Sequence, residues 1–170
     1  MKKIILFSVL IVIIILLKIF VITPVIVQGN SMNNTLKNGN VVLLYKHGNV
    51  SRGKLVVVEK DGKKYIKRVI GLPGEKIRCV KGKVYINNKI LEEKYVSSEN
   101  TDFKEIVIGK NEYFIMGDNR IDSKDSRDFG TVSENEILGT IEFKIFPGIV
   151  IFEWKYKIYF VFFLIYGILK

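Results

Sequence analysis

Hydrophobic positions divide the chain into an apolar beginning, a mixed middle and an apolar end. Residues Ile4–Leu17 are apolar apart from Ser8, and the apolar character resumes over Ile19–Val27 after a single lysine. About 20 apolar residues suffice for a helix that crosses a bilayer. Two lysines precede the segment, so the positive-inside rule keeps the amino terminus in the cytoplasm and sends the rest of the chain outside. The pattern predicts an N-terminal transmembrane helix within a membrane anchor over residues 1–28.

A cleaved signal peptide is the alternative interpretation of this segment. Such a peptide has a shorter apolar core and ends in small residues at alternate positions. Only Val27-Gln28-Gly29 comes near that pattern, so an uncleaved anchor is favoured. Pro24 is expected to end the helix or kink it close to the outer surface.

Residues 29–148 alternate between short apolar runs and turns. The runs of strand length are Val41–Tyr45, Leu55–Glu59, Lys64–Ile70, Lys83–Ile86, Tyr113–Met116 and Ile141–Phe146. Asp61-Gly62 is a tight-turn signal between two of them. No part of this stretch sustains a period of 3.6 residues. The pattern therefore predicts a mostly β domain, built as an antiparallel β-sheet or a partly open barrel.

Residues 149–170 form a hydrophobic C-terminal tail. The apolar run Ile158–Leu169 follows aromatic and basic residues that resemble an interfacial belt, but it is short for a full span. It is expected to be a thin second anchor, a segment in the membrane interface or a tail packed on the β domain. Membrane contact is favoured because so long an apolar run would otherwise expose a large patch.

Composition and charge narrow the classes of partner and cofactor. The chain has no alanine and is rich in β-branched and aromatic residues, which favours strands. A formal net charge of +10 predicts attraction to an anionic surface. Beside an anchor, anionic phospholipid is a better partner than nucleic acid. With one cysteine, Cys79, and one histidine, His47, neither an intrachain disulfide nor a common zinc site is expected.

Candidate chemistry begins at Gly29-Asn30-Ser31-Met32, directly after the predicted anchor. A glycine two residues before a serine lets the backbone come close to a substrate carbonyl. A polar turn leaving the membrane would explain the same four residues, so the interpretation depends on residues further along the chain.

A lysine on a predicted strand supplies the second candidate. Alternate side chains of a strand share a face, so Lys67 lies with Tyr65 and Val69 while Arg68 points the other way. Such surroundings partly desolvate Lys67 and disfavour its charged form. A base near neutral pH requires its pKa to fall by roughly three units from about 10.4. Neutral Lys67 would then accept the Ser31 proton, whereas an ordinary surface lysine is the alternative.

A polar, turn-rich stretch over Met116–Gly130 completes the pattern. Its interleaved acidic residues and arginines suit a loop held by bidentate ion pairs, which would hold a serine hydroxyl against a lysine amine. A calcium loop is a competing interpretation, but the spacing and the closing glutamate that it requires are absent.

Four blocks carry a resemblance to a known family. They are Ser31-Met32-x-x-Thr35-Leu36, Arg52-Gly53, Tyr65–Gly74 and Gly117-Asp118-Asn119-Arg120-x-x-Ser123-x-Asp125-Ser126-Arg127. In this order and spacing they resemble type I signal peptidase over most of residues 1–147. The chain length, the single N-terminal anchor and Gly29 resemble the short Gram-positive enzymes of that family.

The resemblance implies a Ser-Lys serine endopeptidase. Ser31 would be the nucleophile, Lys67 the general base and Ser123 the residue that orients the Lys67 amine. The Ser31 N–H would stabilise the oxyanion, with Gly29 where many relatives place a second donor. The other implied roles are Met32 packing beside the nucleophile, Arg68–Asp118 and Asp125–Arg127 as structural ion pairs, and Val27, Tyr65 and Ile66 as substrate-pocket walls.

The implied activity is removal of N-terminal signal peptides from exported preproteins after small-x-small sites, on the outer face of the cell membrane. A monomer without cofactor or metal is expected. The chain departs from the family at Asn34, usually proline, and at Lys54, usually aspartate. The alternatives are a self-cleaving repressor relative, which lacks an anchor, a specialised pilin or conjugation peptidase, a non-enzymatic tethered β domain, and a Ser-His arrangement using His47.

Overall fold

The structure is a computed structural model that describes residues 2–96, 98 and 100–145. The predicted hydrophobic tail over 149–170 and the last residue of the predicted strand Ile141–Phe146 lie outside the described residues. The helices and strands in chain order are α1 (Lys2–Phe20), β1 (Ile22–Ile26), β2 (Val41–Tyr45), β3 (Leu55–Lys60), β4 (Lys63–Gly71), β5 (Lys76–Val80), β6 (Lys83–Ile86), β7 (Lys89–Ile90), β8 (Phe103–Val107), β9 (Glu112–Met116), α2 (Ser126–Phe129), β10 (Val132–Ser133), the 3-10 turn Glu134–Glu136, and β11 (Ile137–Ile145).

The N-terminal apolar segment is helical over α1, and many of its apolar side chains are exposed, with Ile5 62% and Leu6 72% accessible. Within residues 2–96, 98 and 100–145, no helix combines the length and the apolar character needed for a membrane crossing.

The second apolar run does not continue this helix. α1 ends at Phe20, before Pro24, and residues Ile22–Ile26 form β1, which pairs with β2 at the edge of a sheet. β-Branched residues on both sides of Pro24 favour extended backbone, and an edge strand tolerates a residue without an N–H group. The proline therefore lies in a strand, and the helix end expected there falls four residues earlier.

The larger sheet has seven strands in the order β1-β2-β11-β3-β4-β9-β10, all paired antiparallel. The predicted mostly β, antiparallel class is confirmed. In the described part of the chain, β1 and β10 pair with one neighbour each, so strand pairing does not close the sheet into a barrel. β11, late in the chain, lies between β2 and β3 in the middle of the sheet.

A smaller four-stranded sheet, in the order β7-β6-β5-β8, extends from the end of β4. Its inward side chains share one hydrophobic cluster with the larger sheet: Ile70, Ile77, Cys79, Val84, Ile86, Ile108, Phe114 and Met116. Burial of this cluster joins the two sheets, since each buried aliphatic or aromatic side chain contributes roughly 1.5–3 kcal/mol.

Both faces of the larger sheet are covered near its centre. On β3, Val57 packs into a cluster with Met32 and Leu36, while Val56 and Val58 pack on the opposite face. The alternation follows from the two-residue period of a strand. The first of these clusters anchors the turn that carries Ser31.

Candidate active site

Ser31 lies in a compact turn between β1 and β2. The N–H of Asn33 bonds to the carbonyl of Asn30 at 2.9 Å, and the N–H of Leu36 bonds to that of Met32 at 2.8 Å. Met32 and Leu36 are buried in the cluster beneath the turn. Two apolar anchors thus hold the turn that carries the half-buried Ser31 in place. The predicted packing of the Met32 side chain against the nucleophile stays a prediction.

Two residues of this turn have left-handed backbone. Gly29 has φ +84° and donates its N–H to Asn38 Oδ1 at 3.0 Å, and an added side chain would meet open space. Asn34 has φ +83°, a region that asparagine enters more readily than most residues. Proline is locked near φ −65°, so the proline usual at this position in the resembled family does not fit the present backbone.

Lys67 and Ser31 are in direct contact. Lys67 Nζ lies 2.6 Å from Ser31 Oγ, and the lysine is only 2% exposed within β4. Burial lowers the pKa of Lys67 from 10.5 to about 8, although the negative charge of Asp125 acts in the opposite direction. A neutral amine at this distance is placed to accept the hydroxyl proton.

Ser123 lies against the Asp125 carboxylate. Its hydroxyl donates to Asp125 Oδ2 at 2.8 Å, which leaves the oxygen of Ser123 as an acceptor. Its predicted hydrogen bond with the Lys67 amine stays a prediction. Asp125 also receives two bonds from the Arg127 guanidinium, at 2.8 and 2.9 Å. Burial acts to raise the pKa of Asp125, but the bonds from Arg127 and the Gly117 N–H outweigh it and hold that pKa below its usual range.

The Arg68–Asp118 pair links the nucleophile turn to the loop after β9. Arg68 donates from Nε to Asp118 Oδ1 at 2.8 Å and from Nη2 to Oδ2 at 2.6 Å, and both residues are buried. The Thr35 hydroxyl donates to the same carboxylate at 2.5 Å, and Arg68 also bonds to the Gly53 carbonyl at 2.7 Å. Such bidentate, charge-assisted bonds are strong and directional. Both ion pairs expected from the sequence are therefore present.

Gly117 marks the closest approach between the nucleophile turn and the Ser123 loop. A Cβ at this position would lie 2.6 Å from the carbonyl oxygen of Ser31 and 2.2 Å from the hydroxyl oxygen of Ser123. Only glycine fits such a contact without displacing backbone.

The predicted pocket residues divide between two places. Val27 belongs to the same hydrophobic cluster as Met32, and Ile66 packs against that cluster. Tyr65 packs in the cluster on the other face, with its ring 5.6 Å from that of Phe129. Tyr65 thus lies with Val69 on the face of β4 that also carries Lys67, whereas Ile66 lies on the opposite face with Met32. The roles of Val27, Ile66 and Tyr65 as pocket walls stay predictions.

Some residues at the site received no role from the sequence. The N–H of Asn119 bonds to the carbonyl of Ser31 at 3.0 Å, and its side chain reaches the Asn30 carbonyl at 3.3 Å. The ring of Tyr95 lies 4.0 Å from the Arg68 guanidinium. Asn119 belongs to the last of the four sequence blocks and was open to detection, whereas Tyr95 lies in a polar stretch without a recognisable pattern.

Comparisons with known proteins identify the family to which the chain belongs. Residues 1–146 match the family described as signal peptidase, peptidase S26. The chain is 37% identical over 150 residues to a signal peptidase I of Bacillus amyloliquefaciens, covering 78% of each chain. It is 35% identical over 162 residues to a signal peptidase IB of Staphylococcus aureus strain MRSA252, covering 81% of this chain and 83% of the relative.

A solved structure extends the comparison to the fold. A crystal structure of a signal peptidase I from Enterococcus faecalis V583 superposes with a TM-score of 0.51 and 30% identity, covering 55% of this chain and 97% of that one. With the family match spanning most of the residues, the Ser31, Lys67 and Gly117–Arg127 blocks lie inside the matched region. The chain belongs to the signal peptidase family, peptidase S26.

Proposed function

We propose that this chain is a serine endopeptidase that removes N-terminal signal peptides from exported preproteins, with Ser31 as nucleophile and neutral Lys67 as general base. The observation that carries the proposal is the 2.6 Å contact between Lys67 Nζ and Ser31 Oγ, made by a buried lysine whose pKa is lowered to about 8. Membership of the signal peptidase family supports the substrate class.

Peptide cleavage then proceeds in two halves. Ser31 Oγ attacks the scissile carbonyl while Lys67 takes its proton, and the Ser31 N–H stabilises the resulting oxyanion. Protonated Lys67 gives the proton to the leaving amine, the C–N bond breaks, and an acyl-enzyme remains. Lys67 next deprotonates a water molecule, whose attack releases the signal peptide carboxylate and restores the Ser31 hydroxyl.

The surrounding residues orient this pair. The hydrogen of the Ser123 hydroxyl is committed to Asp125, so its oxygen is suited to accept a hydrogen bond from Lys67 and direct the amine towards Ser31. Val27 and Ile66 are proposed as walls of shallow pockets for the small side chains before the cut, where the substrate adds as an extended strand.

We further place the enzyme at the cell membrane. Exposed apolar side chains along α1 support a membrane anchor, and the two lysines at the start of α1 support an amino terminus inside and a peptidase domain outside. The net charge of +10 favours anionic headgroups. A monomeric enzyme and its membrane-borne substrate then search in two dimensions, which raises their effective concentration.

The test is cleavage of a model preprotein by the detergent-solubilised full chain, with the new amino terminus sequenced. Wild type is expected to cut after a small-x-small site, whereas Ser31→Ala and Lys67→Met are expected to be inactive. Lys63→Met, at an exposed position of the same strand, is the matched control and should retain activity. Equal activity in all four proteins would refute the proposed mechanism. Cleavage of one dedicated substrate alone would instead indicate a specialised peptidase.

A further inference from the structure

Described residues of the connection between β7 and β8 contact the loop that follows β9. We call its contacting residues the strap, namely Glu93, Tyr95, Ser98, Asn100 and Thr101, and we call residues 117–127 the β9 loop. Four strap residues bond to the β9 loop: Glu93 and Asn100 to Arg120, Ser98 to Asn119 and Ile121, and Thr101 to Arg127. The fifth, Tyr95, contacts Arg68 on β4. These contacts attach the connection between β7 and β8 to the β9 loop.

Arg120 is the main point of attachment. Its side chain is fully buried and bonds through two nitrogens to Glu93, at 2.5 and 3.0 Å, while the Glu93 side chain is only 7% exposed. The Asn100 side-chain oxygen accepts a further bond at 2.5 Å. A buried guanidinium depends on such partners, because an unpaired charge in the interior is strongly unfavourable.

Arg120 in turn holds Gly117. Arg120 Nε donates to the Gly117 carbonyl at 2.8 Å, and the Gly117 N–H donates to Asp125 Oδ2 at 2.9 Å. Gly117 is the residue against which the Ser31 carbonyl and the Ser123 hydroxyl both pack. The Glu93–Arg120 pair therefore fixes the point at which the nucleophile turn and the Ser123 loop meet.

Tyr95 gives the strap a second connection. Its hydroxyl donates to Glu93 Oε1 at 3.1 Å, and its ring covers the Arg68 guanidinium. Cation–π contacts of a desolvated arginine are favourable. Glu93 is thereby coupled to the Arg68–Asp118 pair as well as to Arg120.

We propose that Glu93 and Arg120 are positioning residues of the Ser31–Lys67 pair, which hold the β9 loop closed over Lys67 and keep water from its amine. The inference rests on the function proposed above and deepens it. Neither residue reaches the reacting atoms; both act through Gly117 and the loop.

The charged groups that act on Lys67 explain why closure matters. They are Asp118, Asp122, Asp125 and Arg127, and all lie on the β9 loop. From the other elements packed against the amine, β3 presents Val56 across from Lys67 and the nucleophile turn presents the neutral Ser31, while Arg68 follows on β4 itself. A loosened loop admits water, and the pKa of Lys67 then returns towards the value of an exposed lysine.

The test compares wild type with Glu93→Gln in the detergent-solubilised full chain. Glutamine keeps the shape of the side chain and removes its charge. Labelling of Lys67 by an amine-reactive reagent, followed by mass spectrometry across pH, reports the pKa of that one residue. We expect this pKa to rise by about one unit, with kcat/KM at neutral pH falling about tenfold and KM changing little.

Glu136→Gln is the matched control, since it removes the carboxylate that pairs with Lys60 at 2.7 Å, away from the β9 loop. It is expected to lower Tm without moving the Lys67 titration. A Glu93→Gln protein that loses Tm but keeps the wild-type titration would overturn the proposal and leave Glu93 a structural role.

Tyr95→Phe is the second test variant, for use if Glu93→Gln does not fold. Phenylalanine keeps the ring over Arg68 and removes only the hydrogen bond to Glu93. A smaller rise in the pKa of Lys67 is therefore expected, and an unchanged Lys67 titration would overturn the proposal. Labelling requires no substrate. A wild type that cleaves no preprotein would therefore refute the proposed function and still leave this inference open to its own measurement.

Discussion

The lowered pKa of Lys67 predicts a steep dependence of cleavage on pH. With a pKa of about 8, the neutral fraction of this amine is about 9% at pH 7, about half at pH 8 and about 91% at pH 9. Because only the neutral form accepts the Ser31 proton, kcat/KM should rise about tenfold from pH 7 to pH 9.

In the proposed mechanism, burial of Lys67 accounts for most of the activity expected at neutral pH. A lysine that kept the pKa of 10.5 would be neutral in only about 0.03% of molecules at pH 7. Removal of Lys67 from water thus increases the population of active base by on the order of 300-fold. The same shift corresponds to on the order of 3 kcal/mol against the charged form.

The measurement is kcat/KM for a peptide without titratable side chains near the cut, from pH 6 to pH 10 in one detergent and at constant ionic strength. A logarithmic plot should have unit slope below pH 8 and level off above it. A rise in kcat/KM centred near pH 10.5, or a kcat/KM independent of pH between 7 and 9, would refute the claim that Lys67 is a desolvated base. Tm across the same range separates loss of fold from loss of proton transfer.

Four substitutions test the geometry further. Lys67→Met should abolish cleavage yet increase the free energy of unfolding at pH 7 by up to on the order of 3 kcal/mol, measured by denaturant unfolding. The pKa of Lys67 is lower in the folded than in the unfolded protein, so the cost of burying its charge is full below pH 8 and fades as the pH rises towards 10.5. Asp118→Asn should cost roughly 3–5 kcal/mol, because it leaves Arg68 buried without its charge partner. Asn34→Pro should lower both Tm and activity, because proline cannot adopt φ +83°. Gly117→Ala should reduce kcat strongly, because its Cβ would displace the backbone of Ser31.

Controls separate these effects from general damage. Glu59→Gln removes the carboxylate of an exposed pair with Lys64 at 4.0 Å and should cost less than about 1 kcal/mol. Asn34→Gly keeps the left-handed backbone accessible and should preserve Tm and activity. An Asn34→Pro protein as stable as wild type, or a Gly117→Ala enzyme with normal kcat, would show that the turn adopts another conformation.

The strand pattern was readable where side chains alternate between a buried and an exposed face. Val41–Tyr45 and Lys83–Ile86 form strands with the predicted bounds. β1 was not predicted because it follows the helix within an apolar region that Lys18 interrupts, and hydrophobicity alone does not separate a helix from a short strand. β5 was not predicted either, since lysine and arginine on its outer face mask the buried Ile77 and Cys79.

The residues of the candidate site also divide into those that the sequence predicted and those that it did not. Ser31 and Lys67 could be paired from the sequence because four blocks together resemble one family, although the Ser31 block and Lys67 each have another interpretation when taken alone. Glu93 and Arg120 are 27 residues apart, on a polar connection and a polar loop, and their contact exists only because the small sheet folds back on the large one. Long-range polar contacts of this kind leave no periodic trace in a sequence.

The place of β11 has a consequence for the order in which the enzyme becomes competent. β2 pairs only with β1 and β11 among the described strands, while β3 and β4, the latter carrying Lys67, lie on the other side of β11. Until residues 137–145 have been synthesised and have paired as β11, no strand connects β1 and β2 to β3 and β4. A nascent chain is thus unable to complete its sheet before residues 137–145 have been translated, so shorter nascent chains should remain inert towards neighbouring proteins.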